Sequence, residues 1–392
     1  MARVRRVFSV AIVLAWLVEL PSAFSQDAEK LNIIHGPYLQ AVTESSATVV
    51  WFTNRDCISR VEYSPADGND VKAAFASHHG LVDANARIHR IPLTGLKPGV
   101  RYKYRVVSRE IVKFDPYQVT FGDTIVEGPY FVQTWNPQKG EFSFCVVNDI
   151  HEDASRLDSL LNQVPLNTLD IVFLNGDIMN HWSREHQPFD GFLDLCVRRF
   201  ARETPFVYVR GNHETRGALA RGLLDYFPTS DGRYYYVFRH GPVSFLILDT
   251  GEDKPDSNKE YSGLVDFDAY RAEQTQWLHR IVQDESFKAS RYRVVLMHMP
   301  PSVDARAYGA SQVHTLWSPI LNQASIDLMF CGHTHHFARI DPNESVNCYP
   351  ILINAPDMVV QVEVSDSRLQ ATVKKADGQV VDTVAVTPRS GG

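Results

Sequence analysis

Phe142-Ser143-Phe144-Cys145-Val146-Val147-Asn148-Asp149-Ile150-His151 decides how this chain is read. Six nearly continuous apolar residues suit a strand covered on both faces. The run then breaks abruptly into an acid and an imidazole. The same event recurs four times downstream. Ile171–Leu174 is followed by Asn175-Gly176-Asp177, and Phe206–Val209 by Arg210-Gly211-Asn212-His213-Glu214. Val294–Met297 is followed by His298, and Asp327–Cys331 by Gly332-His333-Thr334-His335. Between these strands lie helical patterns. Leu157, Leu160, Leu161 and Val164 fall at helical spacing; further helices are expected up to about 201, near Gly217 and over 268–283. Strand–helix alternation predicts an α/β domain over 141–392, with β-sheet layers flanked by helices. Ligands of such sheets bind beyond the carboxyl ends of the strands, so the five loops should share one rim.

Working outward toward the amino terminus, the period changes. From about 33 to 134 short strands alternate with turns. Ala47-Thr48-Val49-Val50-Trp51-Phe52 is β-branched and aromatic, and Ser59–Tyr63 closes on Ser64-Pro65-Ala66-Asp67-Gly68. After Pro98-Gly99, Tyr102, Tyr104 and Val106 alternate with Lys103 and Arg105, the mark of a half-buried strand. Tyr102 is placed like a tyrosine corner. A β-sandwich is expected over 26–135, similar to a fibronectin type III domain. Thr134–Gly140, with Asn136-Pro137 and Lys139-Gly140, reads as the linker. Gly122-Asp123 is taken as a turn.

The first 25 residues read as an export signal. Arg3, Arg5 and Arg6 precede the apolar Phe8–Val18, and Ala23-Phe24-Ser25 offers a cleavage site. Arg5-Arg6 fits either a Sec or a Tat route to the periplasm or beyond. No later stretch has the length and apolarity of a membrane helix. The 392 residues are 44% hydrophobic and 22% charged, which excludes disorder and collagen. Their net charge is -7; losing the signal leaves about -9, and no basic footprint for nucleic acid exists. Five cysteines do not make a disulfide framework. Cys145 and Cys331 read as core residues; Cys331 and Cys348 are left open as a pair.

The five loops supply imidazole, carboxylate and amide oxygen without thiolate. Such donors suit Mn, Fe or Zn, and do not distinguish among them. Two divalent ions, or a mixed-valence pair, sit about 3.5–4 Å apart in hydrolytic sites and need a carboxylate that reaches both. Asp149 and Asp177 offset half of the four positive charges, leaving a positive hollow fit for a phosphoryl group.

Together the five motifs resemble the calcineurin-like metallophosphoesterase superfamily, over about 140–340. His35-Gly36-Pro37-Tyr38-Leu39-Gln40, with its following Thr-Val-Val-Trp strand, is similar to the amino-terminal domain of purple acid phosphatases, and Val295-Leu296-Met297-His298 is similar to the V-x-x-H motif of the same group. The resemblance implies that Asp149, His151 and His335 bind one metal, and that Asn212, His298 and His333 bind the other. It implies that Asp177 bridges them, that His213 faces the phosphate, and that Glu214 orients His213. One departure stands out. The first motif carries His151 where purple acid phosphatases have Gly, and Asn180 occupies the position of their tyrosine ligand. A colourless enzyme follows, hydrolysing small phosphomonoesters by direct attack of a metal-bound hydroxide.

Around this set, Asn180, His181 and Trp182 are candidates to line the pocket and Arg216 to clasp a phosphate oxygen. Arg210 and Asp249 read as bracing, and His336 as a surface residue. The loops after Asp177, after Glu214 and around Ser302–Val313 are taken as specificity loops. Two rival readings remain: a phosphodiesterase or nucleotide hydrolase, and an inactive cell-surface or glycan-binding protein. Oligomeric state is not readable.

Overall fold

The apolar runs become strands because each is covered on both faces. A computed structural model describes residues 30–343 and 347–388; the expected signal peptide lies outside them. Phe142–Val147 forms a strand in which Phe142, Phe144 and Val146 face one core while Cys145 and Val147 face another. It sits third in a six-stranded sheet ordered Phe206–Val209, Ile171–Asn175, Phe142–Val147, Met358–Val364, Leu369–Lys375, Val380–Val386. A second six-stranded sheet runs Tyr236–His240, Val243–Ile247, Tyr292–Leu296, Leu328–Cys331, Ile351–Ile353, Ala338–Ile340.

The two sheets share an aromatic and branched interior. Phe144 packs edge-on against Phe173, with centroids 5.3 Å apart, and across the interface against Phe245 at 5.2 Å. Truncating Phe144 to Ala would cost about 3–5 kcal/mol at such a site. Helices close the outer faces. Ala154–Leu161 turns Leu157, Leu160 and Leu161 onto the first sheet and is capped by Asp153, whose carboxylate accepts from the Arg156 amide. The expected helical stretch ending near 201 contains two π-helical turns, Phe189–Leu193 and Val197–Ala201.

Phe267–Ile281 and Tyr308–Gln323 cover the second sheet. The latter corrects one expectation. Ser302–Val313 is not loop throughout, because a helix begins at Tyr308. Pro319 inside it masked the signal; Val313, Trp317, Ile320 and Leu321 still bury their side chains.

The amino-terminal region is sheet-rich and organised by one strand of 20 residues, Ser46–Pro65. Its first half pairs with Ile33–Gln40 and Ala86–Thr94, its second with Arg101–Asp115 and Lys72–Ala74. The register shifts between Phe52 and Cys57, where the strand passes from one set of partners to the other. Trp51 and Tyr104 are buried in the shared core, and the Trp51 indole donates to Ser108 Oγ at 2.9 Å. Tyr102 completes the expected corner: its hydroxyl accepts from the Lys97 amide at 3.0 Å.

This region docks onto the helical layer through buried polar contacts. Tyr38 Oη donates to the Tyr226 carbonyl at 2.7 Å, and Tyr104 Oη to that of Arg202 at 2.7 Å. Contacts join the described residues from Leu31 onward into one unit. Among the described residues no helix is long and apolar enough to cross a membrane. All five cysteines are free; Cys331 is buried and Cys348 exposed.

Candidate metal centre

Parallel pairing gathers the motifs. Phe142–Val147, Ile171–Asn175 and Phe206–Val209 run parallel as neighbours in one sheet; Tyr292–Leu296 and Leu328–Cys331 do so in the other. Their carboxyl ends therefore open on one rim. The loops are stitched together by their backbones: the amides of Asp149 and His151 donate to the carbonyls of Gly176 and Asp177, both at 3.0 Å, and that of Gly332 to His298 at 2.8 Å.

The seven side chains expected to hold metal come together. His335 Nε2 lies 3.3 Å from Asp149 Oδ1 and 3.1 Å from His151 Nε2. His298 Nε2 lies 3.1 Å from Asp177 Oδ2 and 3.8 Å from Asp149 Oδ1. His333 Nδ1 lies 3.0 Å from Asn212 Oδ1. Three overlapping groups could each hold an ion: Asp149, His151 and His335; His151, Asp177 and His213; and Asp177, His298 and His333. Asp177 belongs to two of them.

Backbone strain concentrates here. Among the described residues eleven non-glycine residues have positive φ, and six of them, Asp149, His151, Glu152, Asp177, His333 and His335, lie in these loops. Such conformations persist only where the surroundings over-determine them. Two glycines make the approach possible. A Cβ on Gly211 would lie 2.3 Å from Asp177 Oδ1, and one on Gly176, at φ +86°, would lie 2.5 Å from the His298 ring.

The electrostatics call for a cation. Asp149, Asp177 and His298 are buried. Burial opposes charge on His298, yet Asp177 and Asp149 raise its pKa to about 10. Burial also works against the Asp177 carboxylate, but His298 and His213 hold its pKa well below the usual range. Burial, with His298 beside it, lowers His333 to about 4. His298 Nδ1 faces the Asn175 carbonyl at 3.0 Å, so that nitrogen carries the proton and Nε2 is left toward the carboxylates. His298 Nε2 and Asp149 Oδ1 are both buried without a hydrogen-bond partner. Imidazole nitrogens and carboxylate oxygens aimed at common points match the needs of divalent cations, which would take the place of the proton that the carboxylates hold on His298, so the residues fit the implied metals.

Four neighbouring positions differ from expectation. Among the described residues, no hydrogen bond joins the Glu214 carboxylate to His213. Its buried carboxylate instead accepts from the amides of Asp177, Ile178, Met179 and Gly211 at 2.7–3.0 Å, and from Tyr208 Oη at 2.9 Å. It shapes the turn carrying Asp177. Burial and the Asp177 charge raise its pKa, against the pull of those donors. His213 is held otherwise, with Nδ1 2.9 Å from the Asn180 carbonyl and Nε2 3.9 Å from Asp177 Oδ2.

Asn180 turns its own amide to the His151 carbonyl at 3.0 Å. Trp182 is buried against Tyr226. Arg216 is engaged by Glu252 through two contacts of 2.9 and 2.8 Å, with Nη1 3.2 Å from His213 Nε2. Arg210 and Asp249 pair at 2.5 Å, with Tyr234 beneath the guanidinium.

Sequence reasoning missed Glu252 altogether. It is buried and takes Arg216, Thr215 Oγ1 and Tyr261 Oη. The strand-end rule stopped three residues short, at Asp249. Arg271, also buried, holds this loop by donating to the Thr250 and Glu252 carbonyls.

With the geometry in view, comparison with known proteins is direct. Residues 142–337, half of the chain, match the calcineurin-like phosphoesterase family, and residues 36–121 the amino-terminal domain of purple acid phosphatases. Purple acid phosphatase 21 of Arabidopsis thaliana is 24% identical over 289 residues, covering 70% of this chain and 58% of the relative. Purple acid phosphatase 18 of the same plant is 23% identical over 332 residues, covering 79% and 67%. The fold is similar to that of a purple acid phosphatase from yellow lupin (Lupinus luteus) seeds, with TM-score 0.65, 16% identity, and 90% and 74% of the two chains covered.

Proposed function

Because this chain belongs to the calcineurin-like phosphoesterase family, we propose that it is an exported hydrolase of small phosphomonoesters that works with two bound metal ions. Asp149, His151 and His335 would hold one ion, and Asn212, His298 and His333 the other, with Asp177 between them. The observation that carries this reading is the convergence of donors from five loops, several buried without a hydrogen-bond partner. Bound cations would supply Lewis acidity, lowering the pKa of water and offsetting charge on phosphoryl oxygens.

The chain's own residues do the rest. Glu214 fixes the turn that presents Asp177, and Asn148, donating to Asp149 Oδ2 at 2.5 Å, fixes the other carboxylate. His213 Nδ1 directs its own proton to the Asn180 carbonyl, so only a second proton, carried on Nε2 of the imidazolium form, would pass to the leaving oxygen. Arg216 flanks that nitrogen and limits the space before it.

Asn180 stands at the position of the tyrosine ligand of purple acid phosphatases, which supports a site without tyrosinate-to-metal charge transfer. Export rests on the sequence of residues 1–25 alone.

The test loads the protein with Mn, Fe or Zn and measures bound metal, visible absorbance and hydrolysis of a panel of mono- and diesters. Two equivalents of metal, monoester turnover and no visible band are expected. Preference for diesters would move the assignment to the phosphodiesterase reading. Protein that takes up no metal would instead support a binding role.

A further inference from the structure

A cleft of about 530 Å³ opens beyond Arg216, within the size range of small-molecule sites. Thr215 and Arg216 form its inner end. Arg216 Nη1 is 3.2 Å from His213 Nε2, which is in turn 3.9 Å from Asp177 Oδ2. One side chain therefore separates the cleft from the candidate centre. Its walls come from two segments: the loop after Glu214, with Ala218 and Arg221, and the stretch from Tyr261 to Tyr270.

The chemistry of those walls is specific. Tyr261, Phe267 and Tyr270 contribute rings. Leu264 leaves an apolar side chain 68% exposed at the rim. The inner cations are neutralised, Arg210 by Asp249 and Arg216 by Glu252. At the rim, Arg221 makes no ion pair among the described residues and donates to the Leu264 carbonyl at 3.1 Å; Asp266 lies on the same rim. Positive and negative charge thus balance, around an aromatic and aliphatic lining. Such a wall favours planar, largely uncharged groups over polyanions.

We propose that this cleft is the subsite for the alcohol portion of the substrate, and that it selects phosphomonoesters whose alcohol bears a ring, such as a nucleoside or aryl group. The proposal rests on the phosphoesterase reading of the centre. It makes the loop 215–221 and the segment 261–270 the specificity elements, in place of Ser302–Val313. Arg216 stands at the boundary, where the ester oxygen would lie between the centre and the ring.

The test compares adenosine 5′-monophosphate and phenyl phosphate with glycerol 3-phosphate as substrates of the metal-loaded full chain. Wild type should show at least about tenfold higher kcat/KM for the ring-bearing esters. Ala218→Trp, which fills the cleft from an exposed loop position, should raise KM for both ring esters about tenfold or more while leaving glycerol 3-phosphate within about twofold. Arg221→Ala, which removes one wall, should act in the same direction more weakly. Parallel changes for all three esters in both variants, or no change for any, would overturn the subsite.

Binding of adenosine alone by calorimetry supplies a readout independent of turnover. If wild type hydrolyses no ester but binds adenosine, and Ala218→Trp abolishes that binding, the cleft stands and the catalytic reading falls. If esters are turned over but adenosine does not bind, the cleft falls alone.

Discussion

Asp170 and Asp177 bracket the same strand, Ile171–Asn175, and each meets histidine, yet the two ends of that strand are built on opposite terms. At the amino-terminal end Asp170 Oδ2 accepts from His240 Nε2 at 2.6 Å and from Lys139 Nζ at 2.5 Å, and His240 Nδ1 accepts from the Asn136 amide at 3.1 Å. The charges are paired and the ring is used at both nitrogens. At the carboxyl-terminal end Asp149 Oδ1 and His298 Nε2 are buried without a hydrogen-bond partner, His151 and His335 face each other through nitrogen, and the backbone is strained. Residue type alone does not separate the two clusters. What separates them is whether the chain satisfies its own polar atoms, since a buried group left unpaired is costly unless a ligand completes it.

The sharpest break of this contrast is Asp177→Asn. Turnover should fall on the order of 10³-fold and metal content should drop. The metal-free variant should melt lower than metal-free wild type, because the substitution breaks a buried pair and leaves His298 without its carboxylate partner. Chelation should lower the melting temperature of wild type and leave that of the variant unchanged. Unchanged turnover in Asp177→Asn would remove the basis for the catalytic centre.

Glu214→Ala is next. Four amides and one hydroxyl lose their acceptor, so a stability loss of about 3 kcal/mol is expected in denaturant unfolding, with activity lost through the displaced Asp177 turn. His213→Ala should keep its metal and its stability while turnover falls about 100-fold. A matching loss of metal would make His213 a ligand instead.

The smallest effect belongs to the satisfied end. Burial opposes the Asp170 carboxylate, but His240 and Lys139 hold its pKa below the usual value of 3.8. The pair's stabilisation is therefore present above that value and is lost as pH falls through the folded-state pKa. Asp170→Asn should cost about 1 kcal/mol at neutral pH. It should also flatten the acid limb of stability below about pH 4. Metal binding and turnover should not change. Equal sensitivity of both clusters to metal would erase the comparison.

Much of this was legible in advance for a simple reason. A strand buried on both faces has to be apolar throughout, so Phe142–Val147 and Phe206–Val209 announce their own ends, and the polar residues that follow are conspicuous. Helix Tyr308–Gln323 was less visible because Pro319 interrupts its pattern, although in place its buried face suffices to hold it. The role that the resemblance implies for Glu214 is not the one its contacts show. In a tight turn adjacent residues point different ways, and Glu214 reaches back to amides at 177–179.

By itself, then, the order of residues determined two regions of different period and the polar loops at the strand ends. Those follow from local rules of burial and periodicity, whereas the division of the polar side chains into metal ligands is what the resemblance implies. Only the tertiary structure decided that Glu252 fixes Arg216, that Glu214 serves the Asp177 turn, and that loops 215–221 and 261–270 meet to form a cleft. These depend on which surfaces face each other after the two sheets pack, and no local pattern encodes a distance between segments far apart in the chain.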